Sequence, residues 1–361
     1  MAGAAYPPGV ASDLPSPARA ASLRERLVAW FRVEQRALPW RETDDAYRIW
    51  ISEAMLQQTR VETVLGYYAR FLERLPTVEA LAEADEDVVL GLWSGLGYYS
   101  RARKLREAAR VLVAEHGGAF PRTRAEALAL PGIGPYTAGA VLSIAYGLPE
   151  PLVDGNVQRV FARLFALEDP VGSTKLNKAT WALAEVLVPE TGAGEWNQAL
   201  MELGATVCTS RAARCGECPL ARGCAALEAG RVDVLPRPKE RKPPTEVELV
   251  VHVVRRGDEV LLERRPAEGR MAGMWQFPTT ERGGEELFPR ALPDVGGAPS
   301  LRLGPTFGEV RHSITRYRIR AALHAAELVG EAPPGWRWFT RAELEEGALT
   351  GMTRKVLRVE R

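Results

Sequence analysis

No stretch of this 361-residue chain approaches the roughly 20 apolar residues of a membrane span; the best, Ala138 to Leu148, is short and holds Ser143. Cysteine is scarce. Four in the whole chain are too few for a disulfide-stapled secreted scaffold. A surplus of either charge is missing as well: 47 Lys and Arg face 46 Asp and Glu. That balance excludes an acidic disordered chain and a histone-like polycation. It leaves nucleic-acid binding open, because net charge averages over faces. The first residues show no charged start followed by an apolar run, so no signal peptide is expected. Residues 1–22 read instead as a disordered Ala/Pro/Ser tail. Together these absences point to a cytoplasmic protein with no membrane partner.

What remains is globular material: 46% of residues are hydrophobic, and the length suits two or three domains at roughly 150 residues each. From 23 to 228 apolar residues recur at helical spacing, as at Val88, Leu92, Leu105, Ala108, Ala109 and Leu112, and strand signals are few. Residues 229–245 are rich in Pro, Lys and Arg and read as a basic linker. From 246 to 361 the pattern changes. Two β-rich runs flank a turn at Gly257-Asp258, a strand-like run follows near Arg311–His324, and one helix over Arg341–Val359 closes the chain. The expected fold is a mainly α first module followed by an α+β module. Within the first, charge is segregated: Glu79, Glu83, Asp85, Glu86 and Asp87 precede Trp93, whereas Arg101, Arg103, Lys104, Arg106 and Arg110 follow Tyr99.

Four motifs of the helical module carry chemistry. Cys208, Cys215, Cys218 and Cys224 fall within 17 residues (208–224) in a C-x6-C-x2-C-x5-C spacing. Four thiols so close in a cytosolic loop suit metal ligation, and the spacing leaves zinc and a [4Fe–4S] cluster both open. Leu130-Pro131-Gly132-Ile133-Gly134-Pro135 forms a tight hairpin between helices, whose exposed N-terminal amides suit a phosphate oxygen. Asp154, in Val153-Asp154-Gly155-Asn156-Val157, reads as a helix N-cap and also as a carboxylate able to steady a developing oxocarbenium ion on a sugar. Glu53 lies one helical turn from Gln57 amid Ile51, Met55 and Leu56. Apolar neighbours raise a carboxyl pKa and suit it to general acid catalysis.

Taken in order, SEAMLQQT, LWSGLGYYSRA, LPGIGPYTAGA, VDGNV, NQALMELGA and the cysteine spacing resemble the MutY-type adenine DNA glycosylases of the helix-hairpin-helix superfamily, over residues 38–224. The resemblance implies a six-helix domain beside an iron–sulfur domain, with one [4Fe–4S] cluster rather than zinc on the four cysteines. It also implies a substrate: adenine mispaired with 8-oxoguanine or guanine in double-stranded DNA, excised by hydrolysis to leave an abasic site. Roles come with it. Glu53 protonates adenine N7, Asp154 stabilises the sugar cation, and Tyr136 and Asn156 orient that carboxylate or the water. Trp40, Arg41 and Gln198 line the adenine pocket. Gln58, Leu96 and Tyr98 wedge into the duplex, and Gly132 and Gly134 meet phosphate. Tyr136 stands where bifunctional relatives such as endonuclease III carry a Schiff-base Lys, so a monofunctional enzyme is expected. The expected state is a monomer on the nucleoid of a bacterial cytoplasm, with a sliding clamp or downstream repair enzymes as undetermined partners.

Residues 246–361 resemble a Nudix fold, in which Gly273–Pro278 (GMWQFP) matches the approach to the Nudix helix. The Mg²⁺-binding carboxylate box is missing; Glu285-Glu286 is the only acidic pair nearby. The module therefore reads as binding rather than hydrolytic, checking for 8-oxoguanine opposite the adenine. Where the family's reader loop carries Phe-Ser-His, this chain has Ile314-Thr315-Arg316: Thr315 keeps the hydroxyl and Arg316 replaces the His. Arg316, Arg318 and Arg320 alternate and would share one strand face. Two rival readings remain: a thymine or broad-specificity mismatch glycosylase of the same superfamily, and a non-catalytic iron–sulfur DNA-binding protein. Retention of both Glu53 and Asp154 weighs against the second.

Overall fold

The structure, a computed structural model, describes residues 14–240, 243–282 and 300–359. Its contacts form two compact units that do not follow chain order: residues up to 58 pack with 111–240, and residues 59–110 pack with 241–361.

The first unit is helical. Its first helix, Pro17–Glu34, starts inside the stretch expected to be a disordered tail. Ser16 accepts from the Arg19 amide, Pro17 occupies the first turn, and Ala20, Leu23, Leu27 and Phe31 bury one stripe. A cap and an apolar stripe thus override the low-complexity composition; residues 1–13 lie outside the described residues. The linker expectation is corrected too. Leu235 is buried, its carbonyl accepts from Arg163 Nε at 2.8 Å, and the Arg237 carbonyl accepts from the Val171 amide at 2.9 Å. The chain therefore stays packed on the first unit through Arg237.

Helices Ala46–Leu56, Pro135–Tyr146, Gly155–Leu164 and Ala193–Thr206 pack around the core of this unit. Close approach of the last two requires Gly204, where a Cβ would stand 2.6 Å from the Asn156 Cβ. Leu200, Leu203, Val157, Val160 and Phe161 fill the contact.

The second unit joins helices Val61–Arg74, Val78–Glu83, Glu86–Trp93 and the start of Ser100–His116 to a mixed sheet. Side chains explain the pairing of two segments so far apart in sequence. Ser94 Oγ donates to the Leu349 carbonyl at 2.8 Å, and Arg264 meets Asp87 at 2.6 Å. The strands are β1 (Thr245–Arg256), β2 (Glu259–Arg264), β3 (Trp275–Gln276), β4 (Thr279–Arg282), β5 (Ser300–Ile314), β6 (Tyr317–Val329) and β7 (Trp336–Phe339). Their main order is β3-β2-β1-β6-β5, with β4 on β1 and β7 on β2. The expected turn at Gly257-Asp258 is present: Arg256 pairs with Glu259 across it. β1 runs parallel to β6 and is buried on both faces from Leu249 to Val254, which its run of Val and Leu allows.

Two expectations change here. The closing helix is two, Arg341–Glu346 and Gly351–Val359, because the intervening backbone pairs elsewhere. The Trp275 amide donates to the Ala348 carbonyl at 2.9 Å and the Thr350 amide to the Trp275 carbonyl at 3.0 Å. The three alternating arginines do not share a strand: Thr315 and Arg316 form the β5–β6 turn, and only Arg318 and Arg320 lie on β6. Arg320 meets Glu309 at 3.0 Å, and the same carboxylate holds Arg311 at 3.1 Å. Glu285 and Glu286 lie outside the described residues. Among those described, no helix is long and apolar enough to cross a membrane.

Candidate active site

Asp45 caps the helix Ala46–Leu56, its Oδ1 accepting from the amides of Tyr47 and Arg48. That helix is buried almost all round, so Glu53 is carried into the interior, only 3% exposed. The glycine hairpin brings its partner. Gly132 takes a φ of +77°, and Gly134 opens the helix Pro135–Tyr146 with no side-chain cap on its amides. Tyr136, in the first turn of that helix, donates its hydroxyl to Glu53 Oε2, with Met201 Sδ 3.4 Å away. Next to it, Thr137 Oγ1 accepts from Gln57 Nε2 at 3.2 Å and ties the two helices together.

Asp154 caps the helix Gly155–Leu164. Its Oδ1 accepts from the Val157 amide at 2.7 Å and its Oδ2 from Asn156 Nδ2 at 2.8 Å. The cap and carboxylate readings of the sequence thus coincide at one residue. Arg159 Nη2 in turn donates to Asn156 Oδ1 at 2.7 Å, and Arg159 Nε to the Cys208 carbonyl at 2.8 Å.

Burial pushes the Glu53 carboxyl up to about 7; the Tyr136 hydrogen bond and the Arg41 charge restrain that rise, and the Asp154 charge adds to it. Burial raises Asp154 as well, against hydrogen bonds from Val157 and Asn156 and the charge of Arg159. Burial and the two carboxylates push the Tyr136 hydroxyl well above its ordinary range, so it remains a donor. The site therefore offers one carboxyl able to hold a proton near neutral pH beside a second whose two oxygens accept hydrogen bonds from Val157 and Asn156. That pairing can deliver a proton to a leaving group and steady positive charge left behind.

Trp40 and Arg41 sit in a 3-10 turn, both side chains largely buried. The sequence reading missed what holds Arg41. Glu202, side chain 1% exposed, accepts from Arg41 Nη2 at 2.8 Å and from Arg36 Nε and Nη2 at 2.8 and 2.7 Å. Burial pushes the Glu202 carboxyl up, but the hydrogen bonds from Arg36 and Arg41 outweigh it and hold the group at about 2. The available signal was a lone Glu inside the apolar run Ala199-Leu200-Met201-Glu202-Leu203. Gln198 lies half-buried one turn before Glu202 on the same helix face.

The proposed wedge residues divide. Gln58 and Tyr98 are exposed and hold left-handed backbone, φ +62° and +48°, uncommon for side-chain-bearing residues. Arg101 stacks over Tyr98 at 5.4 Å. Leu96, by contrast, is buried at 7% exposure, where an apolar side chain gains from leaving water. Thr315 (φ +52°) and Arg316 stand exposed at the tip of the β5–β6 hairpin.

The four cysteines are half-buried and free of disulfides. Burial pushes the Cys218 thiol up to about 11, and Cys208, Cys224 and Cys215 stand close enough to add to the rise. Arg163 Nη1 donates to Cys208 Sγ at 3.3 Å. Among the described residues, no three Cys, His, Asp or Glu side chains form a single-ion shell. Four desolvated thiols beside a donating guanidinium are a donor set suited to a polynuclear thiolate centre.

Comparison with known proteins agrees with this geometry. The family model "HhH-GPD superfamily base excision DNA repair protein" matches residues 51–185, and a NUDIX domain model matches residues 250–359. The chain is 37% identical to the adenine DNA glycosylase of Homo sapiens, over 95% of its own length and 74% of that protein. It is 38% identical to the adenine DNA glycosylase of Schizosaccharomyces pombe, over 74% of its length and 71% of that protein. A thermostable thymine-DNA glycosylase structure, 31% identical with a TM-score of 0.52, covers 58% of this chain and 97% of its own. Endonuclease III trapped covalently on DNA, 22% identical with a TM-score of 0.50, covers 58% of this chain and 98% of its own, and shares the fold. On sequence across nearly its whole length, on fold and on domain content, the chain belongs to the adenine DNA glycosylases, base-excision DNA repair hydrolases of the helix-hairpin-helix superfamily.

Proposed function

We propose that the enzyme removes adenine mispaired with 8-oxoguanine or guanine in duplex DNA, by a monofunctional hydrolysis that leaves an abasic site. The observation that carries this reading is Glu53: a buried carboxyl at about 7, hydrogen-bonded to Tyr136 and within electrostatic reach of Asp154. The adenine leaves the base stack, at a cost of a few kcal/mol, and enters the pocket beside Trp40 and Arg41. Protonated Glu53 gives its proton to adenine N7, so the base departs as a neutral leaving group. Asp154, held by Val157 and Asn156, stabilises the positive charge that develops on the sugar. Water then adds to the sugar carbon. Tyr136 brings a hydroxyl rather than an amine, and no lysine is among the hydrogen-bond partners of Glu53 or Asp154, which supports hydrolysis without a Schiff base.

Cys208, Cys215, Cys218 and Cys224 would hold one [4Fe–4S] cluster, which when bound supplies folding energy and one-electron redox chemistry. The uncapped amides after Gly134 would meet a DNA phosphate, Gln58 and Tyr98 would enter the duplex, and Thr315 and Arg316 would face the 8-oxoguanine. The Nudix-like module would act in binding.

A duplex panel with A opposite 8-oxoguanine, G, C and T, and T opposite G, tests the reading under single-turnover conditions. Adenine release from the first two alone is expected. Thymine release, as in the thymine-DNA glycosylase it resembles, overturns the substrate. No release from any duplex overturns the enzyme.

A further inference from the structure

The hairpin of β1 and β2 and the helices Arg341–Glu346 and Gly351–Val359 border a half-open cleft of about 560 Å³ within the second unit. That volume lies in the range of small-molecule sites. Its lining includes Arg255, Arg341, Arg354 and Arg358 against Asp258 and Glu345. Arg354 is fixed in place: its Nε donates to Ser94 Oγ at 2.9 Å and its Nη2 to the Gly347 carbonyl at 3.1 Å. Both partners are neutral. Burial lowers the proton affinity of Arg354; Tyr99 and Tyr67 oppose this, and the charges of Arg358 and Arg70 add to it.

Some exposed arginines of this unit are matched to carboxylates, as Arg320 is to Glu309 and Arg264 to Asp87. Among the described residues no carboxylate forms an ion pair with Arg341, Arg354 or Arg358. Guanidiniums that line one cleft without an ion-pair partner are well satisfied by the oxygens of a phosphate, which accept their N–H groups. The remaining space exceeds a phosphate ion and fits a sugar and base.

We propose that this cleft binds a nucleotide, its phosphate held by Arg341, Arg354 and Arg358 and the exocyclic amino group of its base donating to Asp258 or Glu345. The nucleotide is either free in solution or one unit of a DNA strand; the recognition chemistry is the same. The site takes no part in the Glu53 reaction.

The test uses the full chain and the double variant Arg341→Gln/Arg358→Gln, with Arg341→Gln alone as the backup should the double variant lose its cooperative melt. Calorimetric titration with dAMP reads the free source. One equivalent bound by the wild type, weakened at least about tenfold in the variant, supports it. Anisotropy with an undamaged duplex across a salt series reads the strand source. There, about tenfold weaker binding and a salt slope smaller by about 1 to 2 support it. Single-turnover excision at saturating DNA stays at the wild-type rate in either case. Unchanged dAMP and duplex binding in both variants overturns the site, as does deoxyadenosine binding as tightly as dAMP.

Discussion

The surroundings of Glu53 and of Glu202 make an instructive pair. Both carboxylates are buried in the helical unit, yet one stands at about 7 and the other at about 2. Burial acts in the same direction on both and would raise each. What differs is the number and charge of the donors: Glu53 accepts a single neutral hydroxyl, whereas Glu202 accepts from two guanidiniums. Arg41 takes part in both, bonded to Glu202 and felt by Glu53 only through its charge. By holding Arg41, Glu202 keeps it from pairing with the acid. Exclusion of water therefore creates a proton donor only where cations are held back.

The largest effect expected of that contrast is on chemistry. Glu53→Gln and Asp154→Asn should each lower single-turnover adenine excision by about 10² to 10⁴ while leaving duplex affinity unchanged. A rate near wild type for either removes its role. The next largest is on stability. Glu202→Ala leaves two guanidiniums without their shared partner, and a loss of about 3 kcal/mol in urea unfolding is expected. Glu202→Gln, which keeps an acceptor, should lose less. Equal, negligible losses would show that the arginines are satisfied by other groups.

Smaller shifts follow in pH dependence. With Glu53 as the proposed acid, excision should fall as pH rises through about 7. Arg41→Met removes a charge that lowers Glu53, and the alkaline limb of the pH–rate profile should move to higher pH. A limb that does not move separates Arg41 from Glu53. The smallest and most discriminating effect is linkage. Glu202 is lowered on folding, so its contribution to stability is present above the ordinary carboxyl value of 4.5 and is lost as pH falls through about 2. Glu53 is raised, so its contribution is present below 4.5 and is lost as pH rises through about 7. Glu53→Gln should therefore gain stability relative to wild type above pH 7 and approach it below 4.5, in unfolding curves measured across pH. A gain of the same size at pH 5 would place the benefit in packing rather than charge.

Much of the architecture was legible because it is local. Asp154 before Gly155, the turn at Gly257-Asp258 and the apolar spacing of the helices are decided within a few residues. The motifs that carry Glu53, Tyr136 and Asp154 were readable for the same reason, and the structure gathers all three around one pocket. Two readings failed where longer-range contacts won. Residues 17–22 gained a helix because Ala20 found a core. The run from Arg341 to Val359 broke because Ala348 and Thr350 pair with Trp275. Glu202 went unrecognised because its partners Arg36 and Arg41 lie 166 and 161 residues away in sequence.

By itself, then, the sequence determined the mainly α and α+β character of the two modules, the caps and turns, the four clustered thiols and the two candidate carboxylates, since these depend on residue type and short spacing. Only the tertiary structure decided that residues 59–110 pack with the C-terminal module, that one buried glutamate keeps its proton near neutrality while another is held ionised, and that Arg341, Arg354 and Arg358, with no ion pair among the described residues, line one cleft. Those properties depend on which distant groups exclude water from a side chain and which charges they bring with them.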